Sequence, residues 1–167
     1  MKHLWFLCIA LALQLMSPSA RSAPTADGID AARDIVTQLE AAWNRHDMAA
    51  YGALFHDDAE WVNVVGMHWR GKAEVMKAHT AFHETIFKNC QLHGEAVSVR
   101  KVAPGTVVAV WAHRQDAYAT PSGNQQAATF NRLTLVVTQR DGRWHISHGH
   151  NVWVNERAAR SNPVLQP

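Results

Sequence analysis

The spacing of apolar residues divides the chain into a helical first part and a stranded second part. Ala32, Ile35, Val36, Leu39 and Trp43 recur at three- and four-residue steps, which predicts an amphipathic helix capped by Asp27 or Asp30. The polar "NRHD" at 44–47 ends it, and Asp47 is placed to cap a shorter helix carrying Met48, Tyr51, Leu54 and Phe55. "AEWVNVVG", 59–66, alternates like a strand and puts Trp61, Asn63 and Val65 on one face. Gly71 then opens a third helix over about 72–88. After Cys90 the pattern becomes strand-like over 96–102, 106–119, 127–140 and 143–155, with the turn sequences "PG", "PSGN" and "DG" between them. Short turns make successive strands antiparallel. Helix, helix, strand, helix and a four-strand meander is an α+β order, with helices over one face of a curved sheet and a conical cavity between them.

Residues 1–22 fall outside that pattern. Lys2 and His3, an apolar run from Leu4 to Met16, and small residues at Ala20 and Ser22 have the form of an export signal cut after Ser22. Cys8 lies inside the apolar run, which argues against a lipid anchor, and no later stretch is long enough to cross a bilayer. The chain is therefore expected to be periplasmic or secreted, with no membrane association after cleavage. A flexible lead-in (23–30), one domain (31–156) and a C-terminal tail (157–167) would follow the signal. Cleavage also changes the charge. Without Lys2 and Arg21 the 16 basic residues become 14, equal to the 14 acidic ones, so a nucleic-acid partner loses its electrostatic support. Cys90 is left as the lone cysteine, and stability must come from the core rather than a disulfide.

Several polar side chains sit where the pattern turns them inward. Asn63 shares a face with Trp61. It either lines the cavity or satisfies a nearby backbone group. His79 and His83, one helical turn apart, share the apolar stripe of Val75, Phe82 and Ile86. They could line a pocket, be core histidines with partners, or hold a metal, since His-x3-His is a ligand spacing. The pocket reading is preferred, because neither this pair nor His148-x-His150 is joined by a carboxylate or cysteine, and no metal is expected. Arg132, Thr134 and Val136 share one face of their strand, with Leu133, Leu135 and Val137 on the other. An arginine on the cavity side needs either an anionic ligand or an internal carboxylate such as Asp116 or Glu60. The apolar opposite face then suggests burial by a second subunit. No glycine-rich phosphate or dinucleotide fingerprint occurs, and no cofactor is implied.

Three stretches, "LFHDDAEWVNVVG-x3-RG", "R-x-T-x-V" and "DGRW-x-I-x3-HN", occur in the helix–strand order given above. Together they resemble the nuclear-transport-factor-two-like superfamily, its SnoaL-like branch and, within it, the SgcJ/EcaC family. The resemblance runs from about Ala31 to Val154 and implies a cystatin-like cone, a homodimer through the outer sheet face and a small-molecule pocket. Set beside the ketosteroid isomerases of that superfamily, Asn63 falls at the aspartate base, Leu39 at a tyrosine and Thr134 at a protonated aspartic acid. An amide cannot accept a proton at neutral pH, so that isomerase mechanism is not available. His79 matches a pocket histidine. The same comparison turns Ser147, Gly149 and Asn151 inward and leaves His148 and His150 on the subunit side, unless a bulge at Gly149 exchanges the faces.

The resemblance does not fix a reaction, because this fold serves many. The leading expectation is an exported protein whose conical pocket binds a small aromatic or polycyclic ligand. Trp61, Asn63, His79, His83, Arg132, Thr134 and Asn151 would line that pocket, and His148 and His150 join them if a bulge turns them in. If the chain is an enzyme, the chemistry is acid–base, with His79 as the catalytic group. The alternative is a non-catalytic homo-oligomeric module whose outer sheet face, with Leu133, Leu135 and Trp153, does the binding.

Overall fold

A computed structural model describes residues 28–165 of the chain; the proposed export signal and residues 23–27 of the lead-in lie outside the described residues. The first apolar stripe forms α1 (Gly28–Asn44), which buries Ala32, Ile35, Val36, Leu39, Ala42 and Trp43. Residues 28–30, expected in the lead-in, are instead its first turn, with Asp30 favourably placed at the positive end of the helix dipole. Asp47 caps α2 (Met48–Ala53) by accepting from the Ala50 N–H at 2.9 Å, an interaction worth about 1 kcal/mol. Phe55, expected in that helix, opens β1 (Phe55–Val62) instead. A short β2 (His68–Arg70) that the pattern did not announce folds back on β1. It leads through Gly71, at a φ of +77°, into α3 (Gly71–Glu84), which stops four residues earlier than its apolar spacing suggested.

The second part is the meander β3 (Leu92–Ala103), β4 (Thr106–Gln115), β7 (Thr129–Arg140) and β8 (Arg143–Trp153). Between β4 and β7, the two-residue strands β5 (Tyr118–Ala119) and β6 (Gln125–Gln126) make a separate small hairpin. A short α4 (Glu156–Ala159) follows β8, across the boundary expected at 156. Asp141 and Gly142 both have positive φ, and Arg140 pairs with Arg143 across them, which is the two-residue turn that the twist of adjacent strands favours. The main sheet runs β2-β1-β8-β7-β4-β3, antiparallel throughout except where β1 lies parallel to β8.

Facing follows from the register. On β4, Val107, Ala109, Trp111, His113 and Gln115 are buried, and on β7 so are Asn131, Leu133, Leu135 and Val137. The apolar ones among them form the core with Ile146, Phe55 and Trp61, on the side where α1 packs. Arg132, Thr134 and Val136 therefore point to the opposite face, which corrects the expected orientation of β7. The leucines belong to the core and the arginine is exposed, because burying two leucines is worth about 1.5–3 kcal/mol each while burying an unpaired guanidinium costs far more. The outer face carries rows of directly paired residues, Val108–Val136–His148 and Val110–Thr134–His150.

Candidate functional site: an aromatic-walled cavity

α3, the β1–β2 turn, the end of β8 and the β5–β6 hairpin enclose a cavity of about 330 Å³. Trp43, Trp61, Trp69 and Trp153, with Phe82 and Phe87, supply apolar wall, and Asn63, His79, Gln115 and Asn151 supply polar groups. Among the described residues, none that lines it is an aspartate, glutamate, lysine or arginine. A second cleft of about 230 Å³, lined by residues such as His56, Asp58 and Arg140, is polar, and Arg140 Nη1 is held by both carboxylate oxygens of Asp58 at 2.8 and 2.9 Å.

His79 is held by α3 and boxed by aromatic rings. The centroids of Tyr51, Trp61, Trp69 and Trp43 lie 5.0, 5.2, 5.4 and 6.1 Å from its own. Its Nδ1 sits 2.8 Å from the Val75 carbonyl, one helical turn back. A carbonyl can only accept, so Nδ1 carries the hydrogen and Nε2 is the bare nitrogen, taking the Tyr51 hydroxyl hydrogen at 3.3 Å. Burial pushes the His79 pKa down to about 4, against the opposing effect of the Val75 carbonyl, and burial also raises the Tyr51 phenol well above its usual range. At neutral pH the pair is thus a neutral imidazole with its lone pair toward a neutral phenol.

Asn63 reaches the cavity, but its Oδ1 is already engaged. It accepts from the N–H groups of Val65 at 3.1 Å and Met67 at 2.9 Å, and so ties the β1–β2 turn. One side chain thus both lines the cavity wall and anchors the turn. Asn151 is the opposite case, because its Oδ1 is buried and meets no partner.

The remaining expected site residues lie elsewhere. His83 is buried beside the cavity but does not line it. Its Nδ1 meets His46 Nδ1 at 2.8 Å and its ring stands edge-on to Trp43, with centroids 4.3 Å apart. Arg132 and Thr134 lie on the outer face, and Arg132 Nη1 donates to the Asn131 carbonyl. His148 and His150 lie there too, opposite Val136 and Thr134. The reason is a bulge, placed at Ser147 rather than Gly149: Val137 pairs with Ile146, whereas Val136 pairs with His148. Ile146 before the bulge and Gly149, Asn151 and Trp153 after it all pair with core-facing residues of β7, while Ser147, expected inward, bonds the Thr138 hydroxyl. The two histidine pairs therefore sit on opposite faces of the sheet and cannot share a ligand.

Sequence reasoning passed over Gln115, His113 and Asn131. Alternation in "VVAVWAHRQ" places His113 and Gln115 on the face of Val107, Ala109 and Trp111, a legible signal. His113 Nδ1 and Asn131 Nδ2, like Asn151 Oδ1, are buried and unpaired, each at a cost of about 1–3 kcal/mol if left so.

A family model described as a SnoaL-like domain matches residues 36–145. Among curated proteins, none matches the chain. An uncharacterised protein with a cystatin-like fold from Caulobacter vibrioides is 44% identical, with a TM-score of 0.80 over 83% of this chain and 97% of that one. Two more distant structures share the fold alone. A hexachlorocyclohexane dehydrochlorinase, LinA-type3, from Novosphingobium barchaimii is 17% identical, with a TM-score of 0.65 over 74% and 84% of the two chains. A ketosteroid isomerase-like protein from Erwinia carotovora atroseptica is 14% identical, with a TM-score of 0.65 over 78% and 98%. With its curved, mostly antiparallel sheet over N-terminal helices and a family match across most of its described length, the chain belongs to the SnoaL-like domain family and has the cystatin-like fold.

Proposed function

We propose that the chain is an exported SnoaL-like protein of the SgcJ/EcaC group that binds a small aromatic or polycyclic ligand in this cavity. His79 is the group that exchanges a proton with it. The observation that carries the reading is the wall itself: four tryptophans around a preformed space with a few uncharged polar groups, the general form of a small-molecule site. His79 is suited to act as a base. Its Nε2 carries no proton at neutral pH and is held only by the 3.3 Å contact from the Tyr51 hydroxyl, which a ligand's proton would replace. The Val75 carbonyl holds the opposite nitrogen's hydrogen and would steady the imidazolium as it forms. The names of the two distant structural neighbours, a hexachlorocyclohexane dehydrochlorinase and a ketosteroid isomerase-like protein, also refer to ring compounds. Export rests on the form of residues 1–22. A second copy covering the outer face is supported by the paired rows of valine there and by exposed Phe130 and Val152 at its edge.

Titrating the protein with a panel of aromatic and polycyclic compounds tests this, read by tryptophan fluorescence and melting temperature. Saturable quenching with a raised melting temperature is expected, lost in Ile86→Trp, which puts an indole into the cavity. Turnover of a ligand found this way should disappear in His79→Gln while binding persists. A panel that gives no saturable response, together with a concentration-dependent oligomer on size exclusion, would instead establish the assembly module.

A further inference from the structure

We infer that the cavity selects an uncharged ring compound bearing a carbonyl oxygen, which it receives on the side-chain N–H groups of Asn63. The inference rests on the reading of the cavity as a ligand site and names what that ligand must carry. Asn63 lines the cavity two residues after Trp61, at the β1–β2 turn where Val65 and Met67 are exposed. Its amide has one fixed orientation. Oδ1 accepts from the backbone N–H groups of Val65 and Met67, and turning the amide over would set its NH2 against those two donors. Nδ2 is therefore the free end of the side chain. It has no partner among the described residues and, unlike Asn131 Nδ2, it is not sealed off.

The rest of the wall narrows the match. Both lone pairs of Asn63 Oδ1 are taken, so this side chain donates to a ligand and does not accept from it. Thr85 gives its hydroxyl hydrogen to the Ala81 carbonyl at 2.6 Å, and Thr120 is bonded to Ser122 and Asn124 within its own turn. Trp61 and its strand partner Trp69 both stand against His79. A flat ligand lying on these indoles thus runs from the imidazole toward the turn that carries Asn63. A carboxylate would also accept from Nδ2, but no lysine or arginine is among the described residues of the wall, so its charge would leave water uncompensated. A hydrocarbon offers the amide nothing. A carbonyl oxygen has lone pairs, no hydrogen and no net charge, which answers both Nδ2 and the uncharged wall. The ligand is therefore a neutral carbonyl compound rather than an aromatic acid.

Three two-ring probes separate the cases: 2-acetylnaphthalene, its isostere 2-isopropenylnaphthalene, in which a methylene replaces the oxygen, and 2-naphthoate. Each is titrated at pH 7 into the full chain and followed by calorimetry. Wild type is expected to bind the ketone about three- to tenfold tighter than its isostere, the worth of one neutral hydrogen bond, and to bind 2-naphthoate weakest. Asn63→Asp keeps Oδ1 for the turn and removes the donor. It should abolish the preference for the ketone, bind the isostere as wild type does and keep the melting temperature. The infrared carbonyl stretch of isotope-labelled ketone needs no variant: on wild type it should fall below its value in a hydrocarbon solvent, the mark of an accepted hydrogen bond. Equal binding of ketone and isostere by wild type overturns the carbonyl recognition and leaves the ligand cavity standing. So does a preference that survives Asn63→Asp, an unshifted stretch, or tightest binding of 2-naphthoate. Failure of all three probes to bind overturns both.

Discussion

At the residue scale, Asn63 shows how a polar side chain on an inward face can be spent on the fold. The Asn63 N–H donates to the Met67 carbonyl, the Asn63 carbonyl accepts from Gly66, and its Oδ1 gathers the N–H groups of Val65 and Met67. The turn that brings Trp69 opposite Trp61 is thus organised by one side chain. Asn63→Ala is expected to cost about 1–2 kcal/mol, because two backbone donors lose their acceptor, while Asn63→Asp keeps that acceptor and should stay close to wild type. Urea unfolding of the two variants provides the comparison. An alanine variant as stable as wild type would mean that the turn is held by its backbone bonds alone. His79 is committed differently, with one nitrogen fixed to its own helix and the other held only by the 3.3 Å contact from the Tyr51 hydroxyl, which is why it and not Asn63 is the reactive candidate.

At the element scale, β8 decides what the cavity can be. A Cβ added to Gly149 would collide with Cε3 and Cζ3 of Trp61, so the indole lies flat on β8 only because position 149 has no side chain. Gly149→Ala should destabilise the protein by about 1–3 kcal/mol as the indole is displaced, and Gly149→Val by more. Chemical denaturation measures this, and alanine tolerated without loss would show that β8 can retreat from Trp61. The same strand explains how far the sequence could be read. The α1 stripe, the Asp47 cap and the Asp-Gly turn are local signals with a fixed period or a specific residue, and each is legible. Facing on β7 and β8 is not local. Arg132–Val136 offers an apolar residue to both faces, and the faces on β8 depend on a bulge at Ser147 that no glycine marks. Asn151 inward and Arg132 inward were incompatible from the outset, since Asn151 pairs with Leu133. The buried pair His113 and Asn131 escaped notice because a polar residue in a strand says nothing of the polar residue opposite it until register is known.

At the scale of the whole molecule, burial gathers neutral histidines into one interior. His79, His83 and His113 are 5%, 6% and 1% exposed, and each is pushed down from 6.5 to about 4, chiefly by burial. His46 and His79 add to the effect at His83. Arg132 adds to it at His113, where the Trp111 backbone opposes it. The sign of the consequence follows from linkage. Between about pH 4 and 6.5 the unfolded chain binds protons that the folded chain excludes, so stability from this source is full above pH 6.5 and falls steadily as pH drops toward 4. Unfolding at pH 5 should therefore be accompanied by proton uptake and occur at lower urea than at pH 7.5. His113→Gln, which removes one of these groups without touching the His79–Tyr51 contact, should make the decline shallower. The cavity tightens the argument, because a ligand that binds only the folded form adds stability at every pH in proportion to its occupancy. Denaturation curves at the two pH values, with and without a saturating cavity ligand, separate the effects. A pH-independent midpoint in the unliganded protein would mean that these histidines titrate inside the fold as they do in the unfolded chain, so that burial is not what keeps His79 neutral.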